Sequence, residues 1–578
     1  MPSKYDDASD SVPEAPNYDN EKYAFDNKIT TVPIVQRVDA EDDFERGSVD
    51  GIKIDVHTNI KDGLQRQMHQ RHVQMIALAG TLGTGLFLSS GKAIIHAGPA
   101  GALIAYILVG TVVWSMIQSL AEMMCYAPIA GGYIHYAERF LHPSAGFALG
   151  WMQWYSSVIS LPTEIISAAI IIGFWDTDPV SGDVLRSHMI GYITGLLILC
   201  SAINYFGARW FGEAEFVFAI IKILLILGLI IAGLVVDLGG GPDHDRIGFR
   251  YWKNPGAFAP YPVSGNVGKF AGWFTSLLQA AFSFGGVETL AMTAAEVQNP
   301  RASMRKAARL LFYRILFFYI CGIIIVGMLV PYNDPHLLNS TGNGAASSPF
   351  VIAFNRAGIK VLPSIINAGV LTSAFSAADS GLYSASRMLY GLSLRGQAPR
   401  IFSKTLKNGL PVTALIMSTL FILLAYMTLS DGAQTVLNWL SNLTSIATFI
   451  CWGTICATFL RYKAGCEAQG LDRKNSYFYN KWQPWPAYWA IFWCTINVLF
   501  NGYQVFIHGM WSTSDFIIAY INIPIVALLF FGHWVVSGRK RFPKGHEIDM
   551  FSNVPGAEID FDPNPPKTKI RKFFRWLL

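Results

Sequence analysis

The chain is poor in charged residues. Only 14% of its 578 residues are Asp, Glu, Lys or Arg, whereas an ordinary soluble protein carries about 25%. Apolar residues make up 52%. The 16 Trp, 24 Tyr and 38 Phe residues suit the aromatic belts found at membrane interfaces. This composition excludes most soluble folds and predicts a membrane protein.

Patterns typical of catalytic and metal sites are also missing. The chain has no HExxH, no GxSxG and no phosphate-binding GKS or GKT loop, so nothing indicates an intramembrane enzyme. Its seven cysteines form no CxxC pair, and neither a disulfide framework nor a zinc site is expected. We therefore expect no catalytic residues, no bound metal and no cofactor.

The first 70 residues lack an apolar run like that of a signal peptide, so internal spans should direct membrane insertion. This segment holds 8 basic and 15 acidic residues, which predicts a mostly disordered acidic tail over residues 1–70. Elsewhere the basic residues lie in short loops between apolar runs and not on one continuous face. That distribution indicates membrane topology and argues against nucleic-acid binding.

Twelve apolar runs are long enough to cross a membrane. They are too long and too uniformly apolar for the strands of a barrel, so the predicted fold class is an all-α membrane protein with about twelve transmembrane helices. The runs cover residues 72–91, 99–124, 146–174, 188–206, 214–236, 271–296, 308–330, 350–386, 412–429, 434–460, 485–508 and 515–536.

Lys and Arg cluster in the loops after spans six, eight, ten and twelve. Short loops rich in these residues stay in the cytoplasm, so both termini are expected there. The transporter domain then covers residues 71–536, and a basic cytoplasmic tail covers residues 537–578. The loop 331–349 would face outward, which makes Asn339 a candidate for N-glycosylation.

The end of the tail mixes basic and apolar residues, as in segments that lie on an anionic lipid leaflet. A disordered or trafficking tail is an equally good interpretation of residues 567–578. Trafficking or ubiquitination machinery is therefore a candidate partner at the cytoplasmic tails, beside membrane lipid.

Span one contains three glycines within six residues, Gly80, Gly83 and Gly85. Each weakens a helix by roughly 1 kcal/mol relative to alanine, and in lipid such a break is tolerated only where it lines a cavity. The free N–H groups and the following half-helix would suit a carboxylate. The alternative is close packing of the glycines against another helix.

Span six is interrupted in a similar way by Gly285 and Gly286, just before Glu288. Breaks in spans one and six predict a five-plus-five inverted repeat with a substrate site near the bilayer midplane. Repeat one would cover residues 71–236 and repeat two residues 271–460. Two further helices would follow over residues 485–536.

Four ionisable residues lie within predicted spans, where a charge costs on the order of 2.5–3.5 kcal/mol. A functional role is favoured over a structural ion pair for Lys222 and Glu288. Both interpretations stand for Glu164, and the ion pair is favoured for Asp379.

Several segments match the fungal amino-acid permeases of the amino-acid/polyamine/organocation transporter superfamily, in that family's order. They span most of residues 64–546, and the chain resembles this family closely. The matching segments are residues 71–78 with 80–87, 127–133, 282–288 through 296 to 299–301, 386–390 with 396–399, and 408–411.

The resemblance implies a plasma-membrane importer that carries amino acids together with protons on the twelve-helix inverted-repeat fold. It places the substrate carboxylate on the backbone of residues 80–85 and the amino group on residues 283–286. Lys222 falls where relatives place a lysine that stands in for a sodium ion. The substrate-binding residues predicted in this way are Gly80, Thr81, Gly83, Thr84, Gly85, Glu164, Ser283, Phe284, Gly285, Gly286 and Glu288.

One departure from the family leaves the substrate open. The family usually has Gly-Asn-Ser where this chain has Ala378, Asp379 and Ser380, which puts an acid near the site. Polyamines or carnitine-like amines are the runner-up substrates. A nutrient sensor that retains the pocket is the runner-up function.

Overall fold

The structure, a computed structural model, consists of helices joined by loops in the residues that it describes, and these contain no β-strand. The all-α class is thereby confirmed. The described residues are 83–128, 132–176, 186–206, 208–289, 291, 300–335, 337, 348–406, 409–552 and 554.

Long apolar runs fold as long helices because, in lipid, a helix satisfies every backbone polar group within one segment. The helices of eight residues or more in the described ranges are α1 (Ser90–Tyr126), α2 (Pro143–Ile172), α3 (Arg186–Tyr205), α4 (Ala208–Asp237), α5 (Gly265–Phe284), α6 (Pro300–Leu329), α7 (Pro349–Arg356), α8 (Leu362–Leu394), α9 (Val412–Leu420), α10 (Ala433–Ala468), α11 (Trp485–Phe500), α12 (Thr513–Tyr520) and α13 (Asn522–Val536).

Six helical segments are long and apolar enough to cross a membrane, or seven if α12 and α13, bent by 40°, form one span. This finding concerns only the described residues. Together with the all-helical fold it supports a multi-span membrane protein. The count of twelve spans and the inverted repeat stay predictions.

The predicted spans one and two meet at a sharp kink inside α1. Gly98 has φ +73° and ψ 171°, a conformation that side chains with a Cβ rarely adopt. A Cβ at this position would also lie 2.7 Å from the carbonyl oxygen of Ala257. That oxygen accepts the N–H of Ala100 at 3.0 Å, so the loop that precedes α5 holds the kink in place.

The structure divides predicted span eight, residues 350–386, into two helices. Helix α7 ends at Arg356, and Gly358 has φ +73°. The N–H of Ile359 reaches back to the carbonyl of Phe354 at 3.1 Å, as in a glycine-terminated helix end. The sequence prediction missed this turn because a hydropathy window averages Arg356, Gly358 and Lys360 with the apolar residues on both sides.

Helix α1 packs against α5 and α6, and α8 packs against α2 and α4. Of these six helices, α2 carries Glu164, α4 carries Lys222, and α5 carries Ser283 and Phe284. Gly233 and Gly369 show how closely neighbouring helices approach, because a Cβ on either would meet a leucine or isoleucine side chain below 3 Å.

A segment after α13, residues 540–552, docks on the ends of α1 and α10. Met550 and Ile548 are buried there. Tyr126 donates its hydroxyl hydrogen to the carbonyl of Met550 at 2.6 Å. The side-chain amide of Gln469 donates to the carbonyl of Ile548 at 2.7 Å. The prediction of a basic tail did not include this docking.

Candidate functional site

The first described residues of span one, where the sequence predicts a break, lie directly against the end of α5, where the helix of span six ends. Gly85 begins a π-helical turn, Gly85–Ser89, that leads into α1, and Ser283 lies in the last turn of α5. A Cβ on Gly85 would lie 2.5 Å from the Cα of Ser283, closer than real Cβ contacts come. The two segments predicted to hold the ends of the substrate are therefore in contact, at a position where only glycine fits.

Two tyrosines fix the end of α5. Tyr319 donates its hydroxyl hydrogen to the backbone carbonyl of Ser283 at 2.5 Å. The Ser283 hydroxyl donates to the carbonyl of Gln279 at 3.0 Å, so its single hydrogen is used there. Its oxygen therefore accepts from Tyr106, whose hydroxyl is 2.9 Å away. The ring of Phe284 lies 4.6 Å from that of Tyr319, which closes an aromatic cage around the break.

The chain leaves the helical path at the two glycines that follow Phe284. Gly285 has ψ 148°, and Gly286 has φ +90°. The N–H of Thr289 then donates to the carbonyl of Gly286 at 3.1 Å, which forms a short turn. Because the helix stops here, the last carbonyl groups of α5 lack the N–H donors that a further helical turn would supply. They form a negative helix end that suits an ammonium group.

Glu288 is buried one turn beyond this break, with 2% of its surface exposed. The indole N–H of Trp452 donates to Oε2 at 3.1 Å. The side-chain amide of Gln153 reaches Oε1 at 3.5 Å. Donors from α10 and α2 thus hold the carboxyl group beside the broken segment.

Glu164 links span one to helix α2. Its Oε1 accepts the hydroxyl hydrogen of Thr84 at 3.0 Å. The same oxygen would lie 3.4 Å from a Cβ on Gly83, an ordinary van der Waals contact. Its Oε2 is buried and has no hydrogen-bond partner among the described residues.

Lys222 is almost completely buried in α4, with 1% of its surface exposed. Three acids act on it electrostatically, namely Glu215, Glu164 and Asp379. They come from α4 itself, α2 and α8. We call these four residues the Lys222 cluster. It contains three acids and one base.

The acids of this cluster differ in their hydrogen bonding. The hydroxyl of Ser376 lies 3.1 and 3.0 Å from the two carboxyl oxygens of Glu215. Asn204 donates to Oδ1 of Asp379 at 2.7 Å. The second oxygen of Asp379, Oδ2, is buried and has no hydrogen-bond partner in the described part of the chain.

The sequence reasoning did not single out Glu215, because it lies near the start of predicted span five. A signal was available, since Glu215 precedes Lys222 by seven residues and therefore lies on the same helix face. Tyr106, Tyr319 and Trp452 carried no such signal, because an aromatic residue in an apolar helix is usually packing. Only the structure reveals their hydrogen bonds.

Three predicted residues, Gly80, Thr81 and Asn339, lie outside the described residues. Among the residues that could be searched, no group of three or more His, Cys, Asp or Glu side chains is arranged to hold a metal ion.

Comparison with known proteins adds to this geometry. The model of the amino acid permease family matches residues 72–545. The chain belongs to the amino acid permease family. A proline-specific permease of Emericella nidulans is 40% identical over 514 residues, covering 88% of this chain and 90% of the relative.

Other permeases of this family carry different names. The dicarboxylic amino acid permease of Saccharomyces cerevisiae is 38% identical, with 85% of this chain and 80% of the relative covered. The basic amino-acid permease of the same organism is 36% identical, with 92% and 89% covered. These names confirm the predicted family and support amino-acid transport over an enzymatic role.

Proposed function

We propose that this permease imports amino acids across the plasma membrane by proton symport, with alternating access around a midplane site. Membership in the amino acid permease family supports amino-acid transport. The observation that supports a substrate site between spans one and six is the close contact of Gly85 with Ser283. We further propose twelve spans, two inverted repeats and cytoplasmic termini.

The substrate site is proposed at the two breaks. The substrate carboxylate would meet N–H groups of span one near residues 80–85, and its ammonium group would meet the carbonyl end of α5. Hydrogen bonds from Tyr106 and Tyr319 support this role, because they hold the α5 end in one position before substrate arrives. Glu288 would complete the site or gate it.

Lys222 is proposed to couple the proton to transport. Burial disfavours any charge that is not compensated, and the three acids around Lys222 make the cluster sensitive to one proton. Glu164 supports coupling, because it belongs to this cluster and also accepts a hydrogen bond from Thr84 of span one. A change in the cluster can thereby reach the substrate site through one side chain.

The test is uptake of labelled amino acids in a permease-deficient host. We expect uptake to rise as external pH falls from about 7 to 5, to collapse with a protonophore and to ignore replacement of sodium by choline. Accumulation above the external concentration excludes a sensor that binds without transport. Sodium-dependent uptake would contradict proton coupling.

The side chain that the site prefers is to be found by competition. Relatives of similar identity are named for proline, dicarboxylic and basic amino acids, so identity alone does not select one. All common amino acids and a few polyamines should therefore compete against the labelled substrate. Competition by polyamines alone would contradict amino-acid import.

A further inference from the structure

We propose that Asp379 is the proton-binding residue of the transport cycle and that Oδ2 is the atom that takes up the proton. This inference rests on the proposed proton symport and assigns a residue to it. Lys222 would then hold the cluster together while Asp379 loads and unloads. Four observations support this assignment.

The first observation is the position of Asp379. Its side chain is completely buried, in the middle of α8 and away from both helix ends. One turn earlier on the same face of α8, Ser376 reaches Glu215. Between these two residues, Ala377 lies 3.5 Å from the place where a Cβ on Gly83 would stand. Asp379 therefore lies on a helix turn that packs against span one at Gly83.

The second observation is that the two carboxyl oxygens of Asp379 differ in their hydrogen bonding. Oδ1 accepts a hydrogen bond from Asn204, and Oδ2 has no hydrogen-bond partner among the described residues. A buried carboxylate oxygen without a donor is costly. A protonated Oδ2 carries no negative charge, so this arrangement favours the neutral form of Asp379.

The third observation is the set of groups that face Asp379. Glu215 and Lys222 reach it from α4, Cys200 and Asn204 from α3, and Glu164 joins the same cluster from α2. Two carboxylates in one apolar site cannot both be ionised cheaply. With one lysine against three acids, one added proton brings the cluster closer to neutrality.

The fourth observation separates Asp379 from Glu164, whose Oε2 is also without a partner. Glu164 accepts a hydrogen bond from Thr84 and faces Lys222. Asp379, in contrast, has Glu215 as a like-charged neighbour. The repulsion that favours proton uptake thus acts on Asp379.

The proposed cycle involves no chemistry beyond proton binding. A proton from the outer solution binds Oδ2 when the site faces outward. It leaves to the cytoplasm after the protein has turned inward and released its substrate. The empty carrier then returns with Oδ2 deprotonated and the Asp379 charge balanced by Lys222, so each turnover carries one proton inward with its substrate.

The test compares Asp379→Asn with wild type in reconstituted vesicles. Asparagine keeps the shape and can still accept from Asn204, but it cannot gain or lose a proton. We expect Asp379→Asn to exchange external for internal labelled substrate while it no longer accumulates substrate under a pH gradient. Proton influx per substrate, measured with an internal pH dye, should fall from about one toward zero.

Three comparisons decide between outcomes. Asp245→Asn makes the same change in an exposed acid paired with Arg250 and should behave as wild type. Asp379→Glu should retain pH-dependent accumulation. If Asp379→Asn still accumulates substrate with wild-type proton influx, the assignment is wrong and symport stands. Loss of proton influx in Glu164→Gln beside a coupled Asp379→Asn would assign the proton to Glu164. If wild type shows no proton influx, the proposed symport fails as well.

A measurement on the unmodified protein covers the case in which Asp379→Asn does not fold. Hydrophobic carbodiimides react with protonated carboxyl groups in apolar surroundings, and peptide mass spectrometry locates the adduct. We expect an adduct on Asp379 that decreases as pH rises, and none on Glu122, which is paired with Arg473. Absence of the Asp379 adduct at every pH would overturn the proposal.

Discussion

The absence of one Cβ atom allows span one to contact the end of α5. The nearest approach is at Gly85, where a Cβ would reach the backbone of Ser283. Backbone atoms cannot turn aside as a flexible side chain can, so one added methyl group must displace a helix. At Gly83 the same methyl group would make only ordinary contacts.

Gly85→Ala should therefore abolish uptake. The overpacking is expected to cost about 1–3 kcal/mol and to push span one away from α5. The measurement is labelled uptake together with thermal unfolding of the purified protein. Gly228→Ala is the matched control, because a Cβ there meets nothing within 4 Å. Normal uptake by Gly85→Ala would show that the contact is not required.

Glu288→Gln tests the second half of the site. Glutamine keeps the volume and can still accept a hydrogen bond from Trp452, but it removes the charge beside the α5 end. We expect substrate binding or transport to fall at least tenfold while the protein stays folded. Glu467→Gln, at a side chain with 62% of its surface exposed, should have no effect. Unchanged kinetics of Glu288→Gln would remove this residue from the site.

Particular residues show how much of the site could be predicted from the sequence. The glycines of spans one and six and the buried Lys222 could be identified from the sequence, because a break or a charge in an apolar run has a known cost. The partners of these residues could not, since Tyr106 and Trp452 act through distances between helices that are remote in sequence. Asp379 shows the same limit, because its neighbour Glu215 becomes visible only when α4 packs against α8.

At the scale of helices and loops, the main question is where each helix ends or bends. Glycines with positive φ end or bend helices at Gly98, Gly358 and Gly432. The predicted spans stop on either side of Gly98 and Gly432, whereas the predicted span over residues 350–386 runs through Gly358. The spans were therefore easier to predict than the turns inside them. The 540–552 segment escaped prediction for a different reason, because its docking depends on two buried side chains and on hydrogen bonds to its backbone carbonyls, which leave no hydropathy signal.

Met550→Ala tests that docking. Met550 is completely buried, and its sulfur lies 3.0 Å from where a Cβ on Gly465 would stand. Loss of a buried methionine side chain costs about 2–5 kcal/mol, enough to release a short segment. We expect faster hydrogen exchange of residues 545–552 and unchanged exchange in α5. Met510→Ala, at a residue that is 42% exposed, is the control, and equal exchange in both variants would contradict the docking.

The whole molecule must connect the Lys222 cluster with the substrate site. Glu164 belongs to both, since it faces Lys222 and accepts from Thr84. The path from the acids of α4 and α8 to the break in span one thus contains a single side chain. Such a direct connection through one residue suits proton binding and substrate binding, which must occur in order.

Lys222→Met should break this coupling. Methionine keeps the apolar stem but removes the base that three acids surround, so the cluster needs extra protons to stay neutral. We expect surface expression without accumulation above the external concentration, measured with labelled substrate at pH 5. Lys269→Met, at an exposed lysine, should accumulate normally. Undiminished accumulation by Lys222→Met would assign coupling to another group.

The close approach of Gly85 to Ser283 also bears on how the substrate preference of this permease can evolve. A position without room for one methyl group tolerates no substitution of its glycine. New substrate preferences should therefore arise around Glu288, at Gln153 and Trp452, where side chains contact side chains. In a laboratory library randomised at all three positions and selected on a foreign nitrogen source, survivors should keep glycine at position 85 and diversify at Gln153 and Trp452.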